Sequence, residues 1–259
     1  MLRPRLIPCL LIQDGGLVKT VKFKDPKYVG DPINAVRIFN EKEADELIVL
    51  DIDATVNEVE PNYDRIRHLA AECRMPLCYG GGVKTALQAK YITSLGVEKV
   101  AISSGIFENP ELIGEIAAEV GSQSVVVVLD VKKKLFSKHF EVWTHNGKRN
   151  TKRNALDVMT EAQEKGAGEV VINFIDNEGT MTGMPSDAIK EFKSVCKVPL
   201  TIMGGAGSLE DLGNVVADNG LVGVAAGSLF VFKGPYRAVL INYPNHKTKL
   251  EKIYGYCNV

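Results

Sequence analysis

The stretch GVEKVAISS at residues 96–104 returns as GLVGVAAGS at residues 220–228, an offset of 124. Each copy is a turn glycine, a short apolar run and a small, hydroxyl-bearing end. The same offset carries Gly80-Gly81-Gly82 onto Gly204-Gly205-Ala206, and an offset of 125 carries Asp51 onto Asp176. One match between two apolar strands is commonplace. Three matches in order at nearly one offset read as a chain made of two similar halves.

Working outward from these copies, eight apolar runs appear in order: LIPCLLI, ELIVLDID, PLCYGG, KVAISS, SVVVVLDV, EVVINFID, PLTIMGG and GVAAGS. They are apolar throughout instead of alternating, as expected of parallel strands covered on both sides. Between them the helical period predicts helices over Pro32–Ala44, Tyr63–Cys73, Ala86–Leu95, Pro110–Val120, Ala155–Lys165, Ser186–Val195 and Leu209–Asn219. Eight βα units in a chain of 259 residues predict an α/β fold, a single closed (βα)8 TIM barrel with a two-fold half-barrel repeat. The half-barrels fall at about 1–121 and 122–245, with a C-terminal tail over 246–259. A doubly wound open sheet is the competing architecture.

Composition narrows the function classes. The net charge is −1, so nothing draws the chain as a whole to a phosphate polymer, and nucleic acid is not an expected partner. Five cysteines (Cys9, Cys73, Cys78, Cys196, Cys257) lack C-x-x-C spacing, and the four histidines (His68, His139, His145, His246) do not cluster with them. Neither a disulfide framework nor a metal site or cofactor is expected. The amino-terminal apolar run is broken by Pro8 and followed by Asp14 without a small-residue cleavage site, and no stretch approaches the roughly 20 apolar residues of a membrane span. The expected location is the cytoplasm, with no membrane partner.

Two Gly-rich strand ends, YGGGV and MGGAGS, are each followed one unit later by a small strand end, ISSG and AAGS. Glycines let backbone N–H groups approach an anion closely, and a following helix start adds a favourable dipole, so each pair reads as a phosphate cradle. Taken singly, such glycines only make tight βα turns. Carboxylates stand at three strand ends: Asp51 and Asp53, Asp130, and Asp176 with Glu178. At the C-terminal end of a barrel strand a carboxylate faces the ligand side and can transfer protons, although any one of them can equally cap a helix. Asp130 is the foremost catalytic candidate. The segment IPCLLIQDGGLVKT, residues 7–20, poses the converse problem: its strand delivers Leu10 and Leu11 where chemistry would want a polar group.

With RLIPCL, DGGLVK, GDP, DELIVLDI, YGGGV, ENPELI, VGSQSVVV, GAGE, IDNEGT and GGAGS on view, the chain resembles the cyclase subunit of imidazole glycerol phosphate synthase over nearly its whole length. The resemblance implies a (βα)8 barrel that receives ammonia from a glutaminase subunit at its N-terminal face and uses it on a phosphate-bearing small molecule at the opposite face. It maps phosphate or substrate binding onto Lys19, Asp51, Gly82, Ser103, Ser104, Asp176, Gly179, Gly205, Ser208, Gly227 and Ser228. It also maps an ammonia gate of paired charges onto Arg5, Glu46, Lys99 and Glu169, residues that could otherwise be a solvated barrel bottom.

The departures are as informative. The family pairs two aspartates as general acid and base; Asp130 is present, and the other position holds Leu11, whose alkyl chain cannot transfer a proton. Ser103 stands where Asn is usual and Glu178 where Asp is expected. The segment from CLLIQDGG to DELI, PLCYGGGVKT and the ending AAGSLFVFKGPYRAVLINYP resemble a subgroup that works with a glutaminase and a sugar amidotransferase. That subgroup converts an acetamido to an acetamidino group on bacterial surface sugars. The expectation is therefore an ammonia-using synthase subunit specialised in that way. The alternatives are a histidine-pathway cyclase and a non-catalytic scaffold for a glutaminase.

Overall fold

The computed structural model describes residues 3–135, 137–234 and 236–256; Cys257 and the rest of the expected tail's end lie outside them. The eight apolar runs form β1 (Arg5–Gln13), β2 (Leu47–Asp51), β3 (Leu77–Gly80), β4 (Lys99–Ile102), β5 (Val125–Lys133), β6 (Glu169–Phe174), β7 (Leu200–Met203) and β8 (Gly223–Ala226). Each pairs in parallel with its sequence neighbours, and β8 returns to β1, with Arg5 opposite Gly223 and Pro8 opposite Ala226. No barrel strand is left with a free edge, which rules out the open sheet.

The helices α1 (Pro32–Glu41), α2 (Tyr63–Glu72), α3 (Ala86–Ser94), α4 (Leu112–Val120), α5 (Ala155–Glu164), α6 (Ser186–Val195), α7 (Leu209–Asn219) and α8 (His246–Lys252) accompany the strands. Local chemistry starts them. Asp31 accepts from the Asn34 amide ahead of Pro32, and Thr85 with Gln88 and Ser208 with Asp211 form reciprocal caps. Helix α1 stops at Glu41, three residues short of the expected Ala44, because Glu43 takes a left-handed backbone (φ 54°). None of the described helices is long and apolar enough to cross a membrane.

Strand alternation divides the core into two layers. Leu6, Leu10 and Ile12 point outward from β1 into the large layer shared with the helices, whereas Ile7, Cys9 and Leu11 point into the barrel with Ile48, Val126, Val128, Val171 and Met203. Sequence reading passed over two antiparallel hairpins. Gly16–Val21 with Lys24–Gly30 extends β1, and Phe140–Thr144 with Arg149–Asn154 extends β5. They occupy corresponding places in the two halves and meet over the C-terminal mouth, where Phe23 packs against Gly147 and the Asn146 amide donates to the Ile52 carbonyl (2.8 Å).

Candidate active site

Two neighbouring cavities open at the C-terminal mouth. The first is lined by Asp51, Gly81, Gly82, Ser103, Ser104, Asp130, His145 and Asn146, and the second by Leu11, Lys19, Asn173, Glu178, Gly179, Gly205, Gly227 and Ser228. Each Gly-rich strand end thus shares a cavity with the small strand end that follows it. Gly82 (φ 72°) and Gly205 (φ 106°) take left-handed backbones, and a Cβ at either would lie within 2.7 Å and 2.2 Å of a carbonyl oxygen from another loop. The Oγ atoms of Ser103 and Ser228 are both buried without a hydrogen-bond partner. Buried hydroxyls are nearly always satisfied, so the matched pair of exceptions leaves one unused O–H donor in each cavity.

Asp130 ends the inward row of β5. Burial pushes its carboxyl up to about 7, opposed by a hydrogen bond from Asn173 Nδ2 to Oδ1 (2.8 Å) and reinforced by the charge of Glu178. A carboxyl poised near neutrality can both give and take a proton. Leu11 sits on the facing wall, paired with Leu50 of β2 and with Val18, and offers no polar atom. Glu178 is 8% exposed, and one carboxylate oxygen accepts from Thr20 Oγ1 (3.0 Å). Lys19, 4% exposed, lies so close over Gly227 that a Cβ there would be 1.8 Å from its Nζ. Its Nζ donates to the Cys9 carbonyl (3.4 Å) and has no carboxylate within ion-pair distance among the described residues.

Three expected ligand residues are otherwise engaged. Asp51 is drawn to Arg65 (3.2 Å) and to the amides of Asp53 and Ala54; burial raises its pKa against those contacts. Ser208 is the exposed N-cap of α7, accepting from the Asp211 amide (3.1 Å), and lines neither central cavity. Asp176 turns outward: it accepts from the Lys133 amide (3.3 Å) and lines a separate cleft of about 730 Å³ beside α6.

At the opposite mouth all four expected gate residues converge. Arg5 pairs with Glu46 and with Glu169 (2.8 Å), while Lys99 pairs with Glu46 (2.7 Å) and Glu169 (2.9 Å). Thr201, which the sequence reading did not single out, donates to Glu169 (2.6 Å), and a Cβ at Gly223 would lie 2.1 Å from its Oγ1. Burial works to lower the pKa of both Arg5 and Lys99, and the two carboxylates more than reverse it. Burial likewise works to raise Glu169, which Arg5 and then Lys99 hold below the usual carboxylate range.

Comparison with known proteins bears on this barrel directly. The model of the histidine biosynthesis protein family matches residues 5–236. The chain belongs to that family. It is 56% identical over 249 residues to the "Putative imidazole glycerol phosphate synthase subunit HisF" of Leptospira borgpetersenii, covering 96% of this chain and 98% of the relative. It is 57% identical to the "Putative imidazole glycerol phosphate synthase subunit hisF3" of Vibrio vulnificus, covering 96% of each. Identity to the imidazole glycerol phosphate synthase subunit HisF of Natranaerobius thermophilus is 35%, over 95% of this chain and 98% of the relative. Within the histidine biosynthesis family the chain is therefore a HisF-type synthase-subunit barrel.

Against that family background, the residues missed in the sequence carry a recoverable signal. Asn173 and Thr201 are polar residues flanked by apolar ones inside the runs EVVINF and PLTIM, which a buried parallel strand tolerates only where the side chain has a partner. Arg65 had no such flag, being one of several charges on the amphipathic helix α2.

Proposed function

We propose that this HisF-type barrel is the ammonia-using synthase subunit of a glutamine-dependent complex. A glutaminase docks at the N-terminal mouth, ammonia passes the ring of Arg5, Glu46, Lys99 and Glu169, and the apolar barrel interior conducts it to the C-terminal mouth. There a phosphate-bearing substrate is held by Gly82, Ser103 and Ser104 on one side and by Gly179, Gly205, Gly227 and Ser228 on the other. Lys19, a buried cation without a carboxylate partner among the described residues, supplies the compensating charge.

The finer proposal is conversion of an acetamido to an acetamidino group in surface polysaccharide biosynthesis, with a sugar amidotransferase activating the amide. The observation that carries it is Leu11: an alkyl side chain occupies the wall facing Asp130 while the ring at the other mouth is complete. Amide-to-amidine conversion needs nitrogen delivery and an activated acyl oxygen but no imidazole ring closure, so it can dispense with the second aspartate. The wide gap in identity between the two kinds of relative also supports a separate subgroup.

The second reading, a histidine-pathway cyclase, is favoured by the retention of Asp130 and Lys19 in their cavities. The deciding experiment supplies ammonium to the barrel with the imidazole glycerol phosphate synthase substrate and, separately, with an acetamido sugar nucleotide plus its amidotransferase. Cyclisation should be slow or absent, because one half of an acid–base pair commonly contributes about 10²–10⁴-fold, and Leu11→Asp should raise it. Cyclisation at rates typical of the family, with no amidine product, would overturn the acetamidino reading.

A further inference from the structure

The titratable groups at the C-terminal mouth divide between its two cavities: Asp51, Asp130 and His145 line the first, and Cys9, Lys19 and Glu178 the second. Asp51 is occupied by Arg65 and two amides. The remaining carboxylates share one arrangement. Asp130 holds one oxygen on Asn173 and Glu178 holds one on Thr20. Among the described residues the second oxygen of each makes no hydrogen bond and is not fully buried, and Asp130 lines the first cavity and Glu178 the second. Asn173 joins the two, because it donates to Asp130 while lining the cavity of Glu178.

Glu178 is also held in place through its backbone. Its amide donates to Phe174 (2.9 Å), its carbonyl accepts from Lys22 (2.9 Å), and the adjacent Gly179 (φ 69°) lies against Thr20, where a Cβ would be 2.2 Å from the carbonyl oxygen. A carboxylate pinned through its backbone and one oxygen, with the other oxygen free, is preorganised for proton transfer. Leu11 lines the same cavity and cannot do that work.

We infer that Glu178 is the base that takes a proton from ammonia as it adds to the substrate, and that Asp130 is its partner acid. The inference rests on the nitrogen-transfer reading above. In the addition, the ammonia lone pair forms the C–N bond and the π pair of the attacked C=O or C=N moves to the heteroatom. One N–H proton passes to Glu178, and the Asp130 carboxyl proton passes to the heteroatom. The adduct then collapses, a nitrogen lone pair re-forming a C=N bond while the C–O bond breaks and the activated oxygen leaves with its activating group, giving the amidinium. Nothing is oxidised or reduced, and water at the cavity mouth returns the two carboxyls to their starting states.

The test is ammonium-supported amidine formation, with glutaminase omitted, on an acetamido sugar nucleotide with its activating enzyme, over pH 6–9. Glu178→Gln retains the acceptor for Thr20 but not the base. It should lower kcat by about 10²-fold with KM held within about twofold. Leu11→Asp in that background should recover at least about tenfold, yet gain less than about threefold in the wild-type protein. At a fixed concentration of free ammonia the wild-type rate should fall above pH 7 as Asp130 loses its proton, a limb shaped also by His145 and Asp51 in the first cavity and by Lys19 and Cys9 in the second. Carboxyl ¹³C NMR supplies a readout independent of turnover: the Asp130 midpoint should fall in Glu178→Gln. If wild-type protein turns over and Glu178→Gln matches it, or the Asp130 midpoint does not move, this inference alone is overturned. If wild-type protein shows no turnover, the nitrogen-transfer reading falls and this inference with it.

Discussion

The two mouths of the barrel spend their polar residues differently. At the N-terminal mouth, two cations and two carboxylates satisfy one another, and Thr201 closes the remaining acceptor on Glu169. At the C-terminal mouth, among the described residues, Ser103 Oγ, Ser228 Oγ and Asn173 Oδ1 are buried without partners and Lys19 has no carboxylate within ion-pair distance, while burial holds Asp130 near neutrality. The first arrangement is complete without a ligand. The second is incomplete in several places at once, which is what the proposed substrate site requires.

The comparison can be broken most directly at Asp130. Replacing it with Asn should lower ammonium-supported turnover by about 10²–10⁴-fold. Stability should move the other way. The folded-state pKa of about 7 lies above the roughly 3.9 of an exposed aspartate, so the folded protein binds the extra proton and loses stability as pH rises between those values. Asp130→Asn should therefore be isostable with wild-type protein at pH 4 and more stable at pH 8, by an upper limit of about 4 kcal/mol in urea denaturation. A gain that shrinks as pH rises would contradict the buried-carboxyl account.

At the satisfied mouth the sign reverses. Glu169→Ala leaves Arg5 and Lys99 short of a partner and should destabilise the barrel. The cost should fall below the roughly 3–5 kcal/mol of a fully buried pair, because those cations retain 25% and 19% side-chain exposure. With a bound glutaminase, Lys99→Ala should lower glutamine-supported product formation and spare the ammonium-supported reaction; equal loss with both nitrogen sources would make the ring purely structural.

Smaller effects sharpen the contrast. Ser228→Ala removes a hydroxyl that has no partner, so the ligand-free protein should be unchanged or up to about 1 kcal/mol more stable. Stabilisation by inorganic phosphate in thermal melts should weaken by about tenfold in apparent affinity, roughly 1.4 kcal/mol. Ser208→Ala should do the opposite. As an N-cap its loss costs about 1 kcal/mol of stability and leaves phosphate affinity alone. If Ser208→Ala weakens phosphate binding instead, the helix cap is not its principal role.

The barrel was legible because parallel strands buried on both faces must be apolar runs, and eight such runs alternate with helix-period segments that carry their own caps. The hairpins were not, because Lys24–Gly30 and Arg149–Asn154 are polar edge segments whose pairing is set by the strands they extend. Strand-end residues could be recognised as a class, since position at a strand terminus fixes which mouth a residue belongs to. What each does there could not. Ser208, Asp176 and Glu178 follow strand ends alike, yet Ser208 caps a helix, Asp176 faces a peripheral cleft and Glu178 turns into the central cavity.

The sequence by itself determined the eight strand runs and the helices that alternate with them, because apolar burial and helical period are local properties, while the four charges at one mouth were placed by the family resemblance. Only the tertiary structure decided which polar atoms are left unsatisfied. That depends on partners far apart in the chain, such as Asn173 for Asp130 across β6 and β5, Thr20 for Glu178 across a hairpin, and the absence of a Cβ at Gly227 that admits Lys19. A carboxyl's pKa and a hydroxyl's want of a partner are set by what lies within a few ångströms in space, and chain distance carries no information about that.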